Sequence, residues 1–249
     1  MKLLLSSDLH YRADWFAWLL KAAPKYDAVA VAGDLLDIDS ELAPQIEFLR
    51  DWVRKMKRTG TPLFLCCGNH DLNGTALAWP YDPTEKLSPE QEAFRQLAKS
   101  TEYWMDALME EGACIVGGMV KTLPNLDGLI VTSLRYGADQ TETNASLMEK
   151  GKQLRQASPR SPWLCLHHQP PVGLLGREGM GSPLLGEWVE ENQPRIVLCG
   201  HDHRSPFVND TCSERIGLSY VFNPGHRHEA KRPCHIELET TTMRYQWSR

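Results

Sequence analysis

The sequence predicts an α/β fold in which a β-sheet is covered by helices on both faces. Apolar runs recur along the chain, and each ends in a polar cluster; they span residues 3–5, 28–32, 63–67, 129–134, 163–166 and 196–199. Runs that are apolar throughout are typical of strands buried on both faces. Helical periodicity in the segments between the first three runs completes the α/β pattern.

Two amphipathic segments separate the first three predicted strands. Residues 13–25 carry Trp15, Leu19 and Ala22 at helical spacing, and residues 43–58 repeat apolar side chains with the same period. Strand, helix, strand, helix and strand therefore follow in order, which predicts a βαβαβ core with right-handed crossovers. Ligands of such a sheet bind outside the carboxyl ends of its strands.

The later part of the chain predicts a second set of elements. Two short apolar segments flank a turn-rich stretch and predict antiparallel strands, at 114–116 and 129–131. Two further segments predict helices, at 145–155 and 183–191. Three C-terminal segments predict strands that close a second sheet, at 220–223, 235–238 and 243–247.

One domain is expected over residues 1–249, with a helical insertion at about 72–112. A helix start near residue 88 and a second helix at 102–110 are predicted inside this insertion. Its position beside a polar signature is compatible with a cap that shapes substrate access, and equally with a helical layer that only packs on the sheet.

Composition excludes several classes of protein. The formal net charge of -5 gives no basic surface for a nucleic-acid partner or for an anionic membrane. No apolar run approaches the ~20 residues that cross a bilayer. The chain has 7 cysteines, an odd number, without the spacing of a zinc finger, so we expect unpaired thiols and a cytoplasmic location.

Polar signatures follow the predicted strands and collect the residue types that bind metal ions. In chain order they are Asp8-Leu9-His10, Gly33-Asp34-Leu35-Leu36-Asp37, Gly68-Asn69-His70-Asp71, His167-His168 and Gly200-His201-Asp202-His203. Alone, each signature is more typical of a turn or a capping pair. Together, at one edge of a sheet, such charges and imidazoles would be costly to desolvate unless they served a site. Carboxylate, amide and imidazole groups are ligands for divalent cations, so the set predicts a two-metal hydrolase site.

This ordered set of signatures resembles the calcineurin-like metallophosphoesterase family. The resemblance runs from residue 8 to residue 203 and implies a four-layer αββα sandwich of two mixed β-sheets flanked by helices, with a dinuclear metal site at the carboxyl ends of the strands. It implies a first metal held by Asp8, His10, Asp34 and His203. It implies a second metal held by Asp34, Asn69, His167 and His201, with His168 as the alternative to His167.

The expected activity is hydrolysis of a small phosphomonoester or phosphodiester by two manganese, iron or zinc ions, with a metal-bridging hydroxide as nucleophile. His70 lies outside the ligand set, where it could stabilise developing charge or protonate the leaving oxygen. Asp71 either orients His70 or makes a loop hydrogen bond. Two alternatives remain: a cyclic-nucleotide phosphodiesterase, favoured by the aromatic segment 79–81, and a noncatalytic metal-binding scaffold.

Two further segments carry open interpretations. Residues 223–225 form an Asn-Pro-Gly turn, and the following His226-Arg227-His228 either contacts a substrate phosphate or is a surface loop. Arg135 and Tyr136 either face the site or close a strand.

Overall fold

A computed structural model describes residues 1–38, 40–71, 104–137 and 140–249. Its helices are α1 (Ala13–Ala22), α2 (Leu42–Arg58), α3 (Trp104–Glu111), α4 (Thr141–Ala157), α5 (Pro183–Asn192) and α6 (Ser205–Val208), with a 3-10 turn at Ala23–Lys25. Its strands are β1 (Lys2–Ser6), β2 (Ala28–Ala32), β3 (Leu63–Cys66), β4 (Met119–Leu123), β5 (Leu129–Ser133), β6 (Trp163–Leu166), β7 (Ile196–Leu198), β8 (Ser213–Ile216), β9 (Ser219–Phe222), β10 (His235–Glu239) and β11 (Arg244–Ser248).

The strands form two mixed sheets. The first has the order β11-β10-β1-β2-β3, and the second has the order β4-β5-β6-β7-β9-β8. Strands β1, β2 and β3 are parallel, as are β5, β6, β7 and β9, whereas β10 and β11 in the first sheet and β4 and β8 in the second pair antiparallel with their neighbours. The carboxyl ends of the parallel strands in each sheet therefore lie at one edge, as the alternation of elements predicts.

Three hydrophobic cores separate the layers. Alternate residues of β1 point in opposite directions, because side chains alternate across a strand: Leu3 and Leu5 join the core between the sheets, and Leu4 joins the core beneath α1 and α2. On the other sheet, Ile130 and Trp163 lie in the core beneath α4 and α5. The order of layers is helices, sheet, sheet and helices, in agreement with the expected sandwich.

Helix α3 lies inside the region predicted as an insertion and packs on α2. The Glu111 carboxylate binds Arg50 at 2.6 Å and Arg54 at 2.5 Å, which joins the two helices at their surface. The helix predicted at 102–110 is thus present with a shifted boundary. Residues 72–103, including the predicted helix start near residue 88 and the aromatic segment 79–81, lie outside the described residues, so the role of the insertion stays a prediction.

Two predicted strand assignments are wrong. Residues 114–116 form a connection with a single bridge between Ile115 and Phe64, and the antiparallel partner of β5 is β4 instead. Of the three C-terminal strands, only β9 joins the second sheet. Strands β10 and β11 extend the first sheet, because β10 pairs antiparallel with β1.

Within the described ranges, no helix combines the length and apolarity needed to cross a bilayer.

A buried hydrogen bond in the second sheet gives the first testable prediction. The indole Nε1 of Trp163 donates to Thr132 Oγ1 at 3.0 Å, and both residues are fully buried. Thr132→Val keeps the shape of the side chain but leaves the indole N–H without its acceptor, so we expect a loss of about 1–3 kcal/mol in unfolding free energy. Urea denaturation measures it. Thr132→Ser keeps the hydroxyl and serves as the control; an equal loss in both variants would assign the effect to packing.

Candidate metal centre

The loops that follow five parallel strands meet at one edge of the sandwich. Asp8 follows β1, Asp34 follows β2, Asn69 follows β3, His168 follows β6, and the His201 to His203 segment follows β7. Asp8, Asp34 and His168 are buried at 0–1% exposure, although each carries a polar group. Burial of such groups is favourable only where they satisfy one another or a bound ion.

The first cluster consists of Asp8, His10, Asp34 and His203. One ligand atom from each of these four residues lies within 4.8 Å of the others. The two imidazole Nε2 atoms of His10 and His203 approach to 3.1 Å, and His203 Nε2 lies 3.1 Å from Asp8 Oδ1. The spacing fits donor atoms that converge on a common cation.

The second cluster consists of Asp34, Asn69, His168 and His201. The amide oxygen of Asn69 lies 3.1 Å from His168 Nε2 and 2.9 Å from His201 Nδ1. His168 Nε2 also lies 3.3 Å from Asp34 Oδ2. An amide oxygen, a carboxylate and two imidazoles therefore face one another across a short gap.

Asp34 connects the two clusters through one oxygen. Its Oδ2 lies 3.3 Å from His168 Nε2 in the second cluster and 3.9 Å from His10 Nε2 in the first. Its other oxygen, Oδ1, accepts the backbone N–H of His70 at 3.0 Å. The hydrogen bond fixes the carboxylate so that Oδ2 points between the clusters.

The structure places His168, not His167, in the second cluster. The Nδ1 atom of His167 lies 2.7 Å from the carbonyl oxygen of Gln169, within its own loop. His168 Nδ1 lies 2.8 Å from the Ala32 carbonyl oxygen at the end of β2, which turns Nε2 toward Asp34 and Asn69. The sequence favoured His167, one residue before the histidine that the structure places in the cluster. Neighbouring side chains leave a strand end in opposite directions, so only one of the two faces the cluster.

Backbone strain accompanies the clustered side chains. Asp8, His10, Asp34 and His201 have φ angles of 54°, 43°, 49° and 65°, in the left-handed region that L-residues seldom occupy. Such strain persists only where the surrounding structure imposes it, and it concentrates at functional sites.

The electrostatic environment keeps several imidazoles neutral. Burial lowers the pKa of His10 and of His201 to about 4, so both rings carry an available lone pair at neutral pH.

For Asp8, burial favours the neutral acid, but the hydrogen bond and charge of His203 outweigh it and hold the pKa well below its usual range. Burial disfavours protonation of His168, yet the nearby Asp34 charge raises its pKa to about 9.

The donor set of the second cluster fits a bound metal ion. The Ala32 carbonyl can only accept, so Nδ1 of His168 carries a proton, and a neutral ring then presents a lone pair from Nε2. This lone pair faces two oxygens, of Asp34 and Asn69, which is unfavourable unless Nε2 is protonated or a cation lies among the three atoms. In a metal site, an imidazole ligand typically donates its other ring N–H to a carbonyl oxygen, as His168 does to Ala32.

His70 lies beside both clusters without belonging to either ligand set. Its Nε2 is 3.7 Å from Asp34 Oδ2, and its ring contacts the His10 ring edge-on with centroids 4.5 Å apart. The buried Nδ1 atom has no hydrogen-bond partner among the described residues.

Comparison with known sequences identifies the family. The sequence profile of the calcineurin-like phosphoesterases matches residues 1–205 of this chain. The chain belongs to the calcineurin-like phosphoesterase family. A search of curated proteins found no significant match.

Solved structures share the fold of this family member at low sequence identity. TT1561 of Thermus thermophilus has a TM-score of 0.59 and 15% identity, with 99% of this chain and 97% of that protein covered. A dimetal phosphatase from Danio rerio has a TM-score of 0.50 and 10% identity, covering 90% and 87%. The calcineurin-like phosphoesterase YfkN from Bacillus subtilis has a TM-score of 0.50 and 11% identity, covering 100% and 88%.

Of the two interpretations of Asp71, an orienting contact with His70 and a loop hydrogen bond, the structure shows hydrogen bonds to loop backbone. Its Oδ1 accepts the N–H groups of Leu35 and Leu36 at 2.8 and 2.9 Å, and its Oδ2 accepts that of Gly68 at 2.8 Å. Because His70 Nδ1 has no partner in the described structure, Asp71 does not orient the ring through that atom. In this family member Asp71 joins the loops after β2 and β3, which carry Asp34 and Asn69.

Two residues that the sequence left undecided line the centre. Tyr136 lies against the rings of His168 and His201, with centroids 5.6 and 6.0 Å apart, so it faces the site. His226 stacks on His203 with centroids 4.6 Å apart and a 29° angle between the rings. The sequence marked both positions, after an apolar run and after an Asn-Pro-Gly turn, but it could not decide whether either side chain faces the site.

Gly68 gives a prediction about how the loops are spaced. A Cβ atom added there would lie 2.5 Å from the Asp34 backbone nitrogen and would also collide with the Asp34 carboxylate. We expect Gly68→Ala to lower the unfolding free energy by at least about 2 kcal/mol, as overpacked sites do, and to weaken metal binding. Thermal unfolding and metal titration measure the two effects.

Gly186 is the matched control for this substitution. It lies within α5, and an added Cβ would make only an ordinary contact, 3.8 Å from Pro171 Cβ. Gly186→Ala should therefore raise stability by roughly 0.5–1 kcal/mol, the usual gain for alanine in a helix. Unchanged metal binding in Gly68→Ala would show that the Asp34 loop can move away without cost to the site.

Proposed function

We propose that this protein hydrolyses small phosphate esters with two metal ions bound in the two clusters. The observation that carries the proposal is the position of Asp34 Oδ2, between His168 in one cluster and His10 in the other. A carboxylate that faces two ligand groups from one oxygen is suited to bridge two cations. Membership in the phosphoesterase family and the fold shared with a dimetal phosphatase support the same reaction class.

The proposed ligands are a revised form of the set expected from sequence. Asp8, His10, Asp34 and His203 would hold one ion, and Asp34, Asn69, His168 and His201 would hold the other, with His168 in place of His167. Mixed oxygen and nitrogen donors suit manganese, iron or zinc. When bound, the ions would supply positive charge to the phosphate oxygens and would activate a water molecule as the nucleophile.

The side chains of this protein supply orientation and proton transfer. Asp8 accepts from the His201 backbone N–H at 3.0 Å and thereby fixes the loop that carries two ligands. His70 faces the cluster without ligating, so we assign it the stabilisation of negative charge on the reacting phosphate or protonation of the leaving oxygen. Asp71 is assigned a positioning role, because its hydrogen bonds hold the loops of Asp34 and Asn69 together.

The substrate is proposed to be a small phosphomonoester or phosphodiester. Its negative charge would be met by the bound ions, since the protein as a whole carries a net charge of -5. The same net charge disfavours a polynucleotide, whose binding surface is normally basic. The cyclic-nucleotide alternative depends on residues 79–81, which lie outside the described residues, so we retain the broader substrate class.

The noncatalytic alternative gains no support from the site. A noncatalytic scaffold needs no side chain beyond the metal ligands. His70 nevertheless faces the clusters, with its Nε2 atom 3.7 Å from Asp34 Oδ2. All 7 cysteines are free thiols, and a cytoplasmic location stays a proposal.

Metal analysis combined with a substrate panel tests the proposal. Purified protein is assayed for bound manganese, iron and zinc, then reconstituted with each metal and supplied with aryl phosphomonoesters, aryl phosphodiesters and cyclic nucleotides. We expect two ions per chain and turnover of at least one ester class. Two bound ions with no turnover of any ester under any metal would contradict the proposed activity.

A further inference from the structure

His226 lies against the first cluster although it belongs to none of the family's signatures in this sequence. One nitrogen of its ring lies within 4.8 Å of a ligand nitrogen from both His10 and His203. Its ring stacks on His203 and meets the His10 ring edge-on, with centroids 5.0 Å apart. His226 therefore borders the same space as two proposed ligands of the first ion.

Hydrogen bonds hold His226 in this position from both its backbone and its side chain. The backbone N–H of His226 donates to the His203 carbonyl at 3.2 Å, and its ring Nδ1 lies 2.9 Å from the Asp8 carbonyl oxygen. The preceding Gly225 has a φ of 69°, and an added Cβ would lie 3.2 Å from the His203 carbonyl oxygen, so the close approach depends on glycine.

The contact with Asp8 determines what His226 can bind. A backbone carbonyl only accepts hydrogen bonds, so Nδ1 carries the proton and Nε2 of the neutral ring carries a lone pair. A lone pair binds a cation; it cannot donate a hydrogen bond to a phosphate oxygen. The chemistry therefore favours a metal over a substrate phosphate.

We propose that His226 is a further protein ligand of the first metal site, beside His10 and His203. The inference rests on the metal centre described under the proposed function and adds one imidazole to that ion. Three imidazoles at one ion favour zinc or iron over hard ions such as magnesium, which prefer oxygen donors. The interpretation of residues 226–228 as a plain surface loop then holds for the exposed Arg227 and His228, but not for His226.

Metal titration without substrate tests the proposal directly. Metal-free wild type, His226→Gln and His228→Ala are titrated with Co²⁺ against a chromophoric chelator. We expect His226→Gln to weaken one of the two binding steps by more than about 100-fold, beyond the 10–100-fold effect of groups that only support ligands, and to leave the other step unchanged. His228 is the matched control, since it is exposed on the same loop with its ring 6.3 Å from that of His226.

A second readout separates ligation from loop positioning. In the Co²⁺-loaded protein, the Nδ1 proton of a ligated His226 should give a strongly shifted exchangeable NMR signal that is absent in His226→Gln and present in His228→Ala. The glutamine amide can still donate to the Asp8 carbonyl, so a role in positioning alone would be rescued, with both binding steps at wild-type affinity.

Either of two results would overturn the assignment. In the first, both Co²⁺ ions bind His226→Gln with wild-type affinity. In the second, turnover of that variant falls while its metal affinity stays constant, which would place His226 in contact with the substrate. Thermal unfolding of the metal-free variants confirms that each is folded. Because binding is measured without substrate, wild type that binds two ions but hydrolyses no ester would contradict the proposed function while leaving the His226 test intact.

Discussion

Replacing His70 with alanine is expected to leave both metal ions bound and to lower turnover by roughly 10²–10⁴-fold, the usual contribution of a general acid. The structure supports the separation of these effects. His70 Nε2 faces Asp34 Oδ2 at 3.7 Å, yet His70 is not a member of the Asp8, His10, Asp34 and His203 group. Metal content and steady-state kinetics on the same sample measure both quantities.

The dependence on the leaving group shows which role His70 performs. An aryl phosphate releases a stable phenolate and needs little protonation, whereas an alkyl phosphate needs a proton on the leaving oxygen. If His70 is the acid, His70→Ala loses far more activity toward the alkyl ester. An equal loss for both esters would indicate charge stabilisation, and loss of metal would mean that His70 is a ligand. His228→Ala, on the exposed loop, controls for removal of an imidazole.

The position of the site could be predicted from the sequence because the signals that define it are local. An apolar run followed by a polar ligand marks the carboxyl end of a buried strand, and parallel strands bring those ends together. Asp8, Asp34 and Asn69 follow β1, β2 and β3 in this way. No long-range information is needed for that step.

Errors arose where a choice depended on a neighbour in space. His167 and His168 are equivalent as residue types, and only the contact of His168 with the Ala32 carbonyl at 2.8 Å distinguishes them. Strand β4 was missed because it lies at a sheet edge and carries the half-exposed and exposed side chains of Met119–Leu123, whereas residues 114–116, which include the buried Ile115 and Val116, are more apolar.

The pairing of strands that are distant in sequence could not be predicted from local patterns either. Strand β10 joins the first sheet by pairing with β1, where Leu3 opposes Leu238. Either sheet could have accepted an apolar C-terminal strand. His226 entered the site for a related reason: its loop reaches the first cluster through hydrogen bonds to Asp8 and His203, which no sequence spacing indicates.

Replacing Asp34 with asparagine is expected to remove both metal ions and with them all turnover. Oδ1 of Asp34 accepts the His70 backbone N–H at 3.0 Å, so the asparagine oxygen must occupy that position. The amide nitrogen then takes the place of Oδ2, which faces His168 at 3.3 Å and His10 at 3.9 Å. A protonated amide nitrogen does not ligate a cation, so both clusters lose the same donor at once.

Comparison with two neighbouring aspartates shows whether Asp34 is the bridge. Asp8→Asn should weaken only the first ion, because Asp8 lies in the first cluster, and Asp37→Asn, on the loop after β2 but outside that group, should weaken neither. We expect both steps of a Co²⁺ titration to weaken by more than about 100-fold in Asp34→Asn, beyond the effect of groups that only support ligands. One ion bound at wild-type affinity in that variant would show that Asp34 serves a single metal, and the shared-oxygen geometry would then have no role in holding the second.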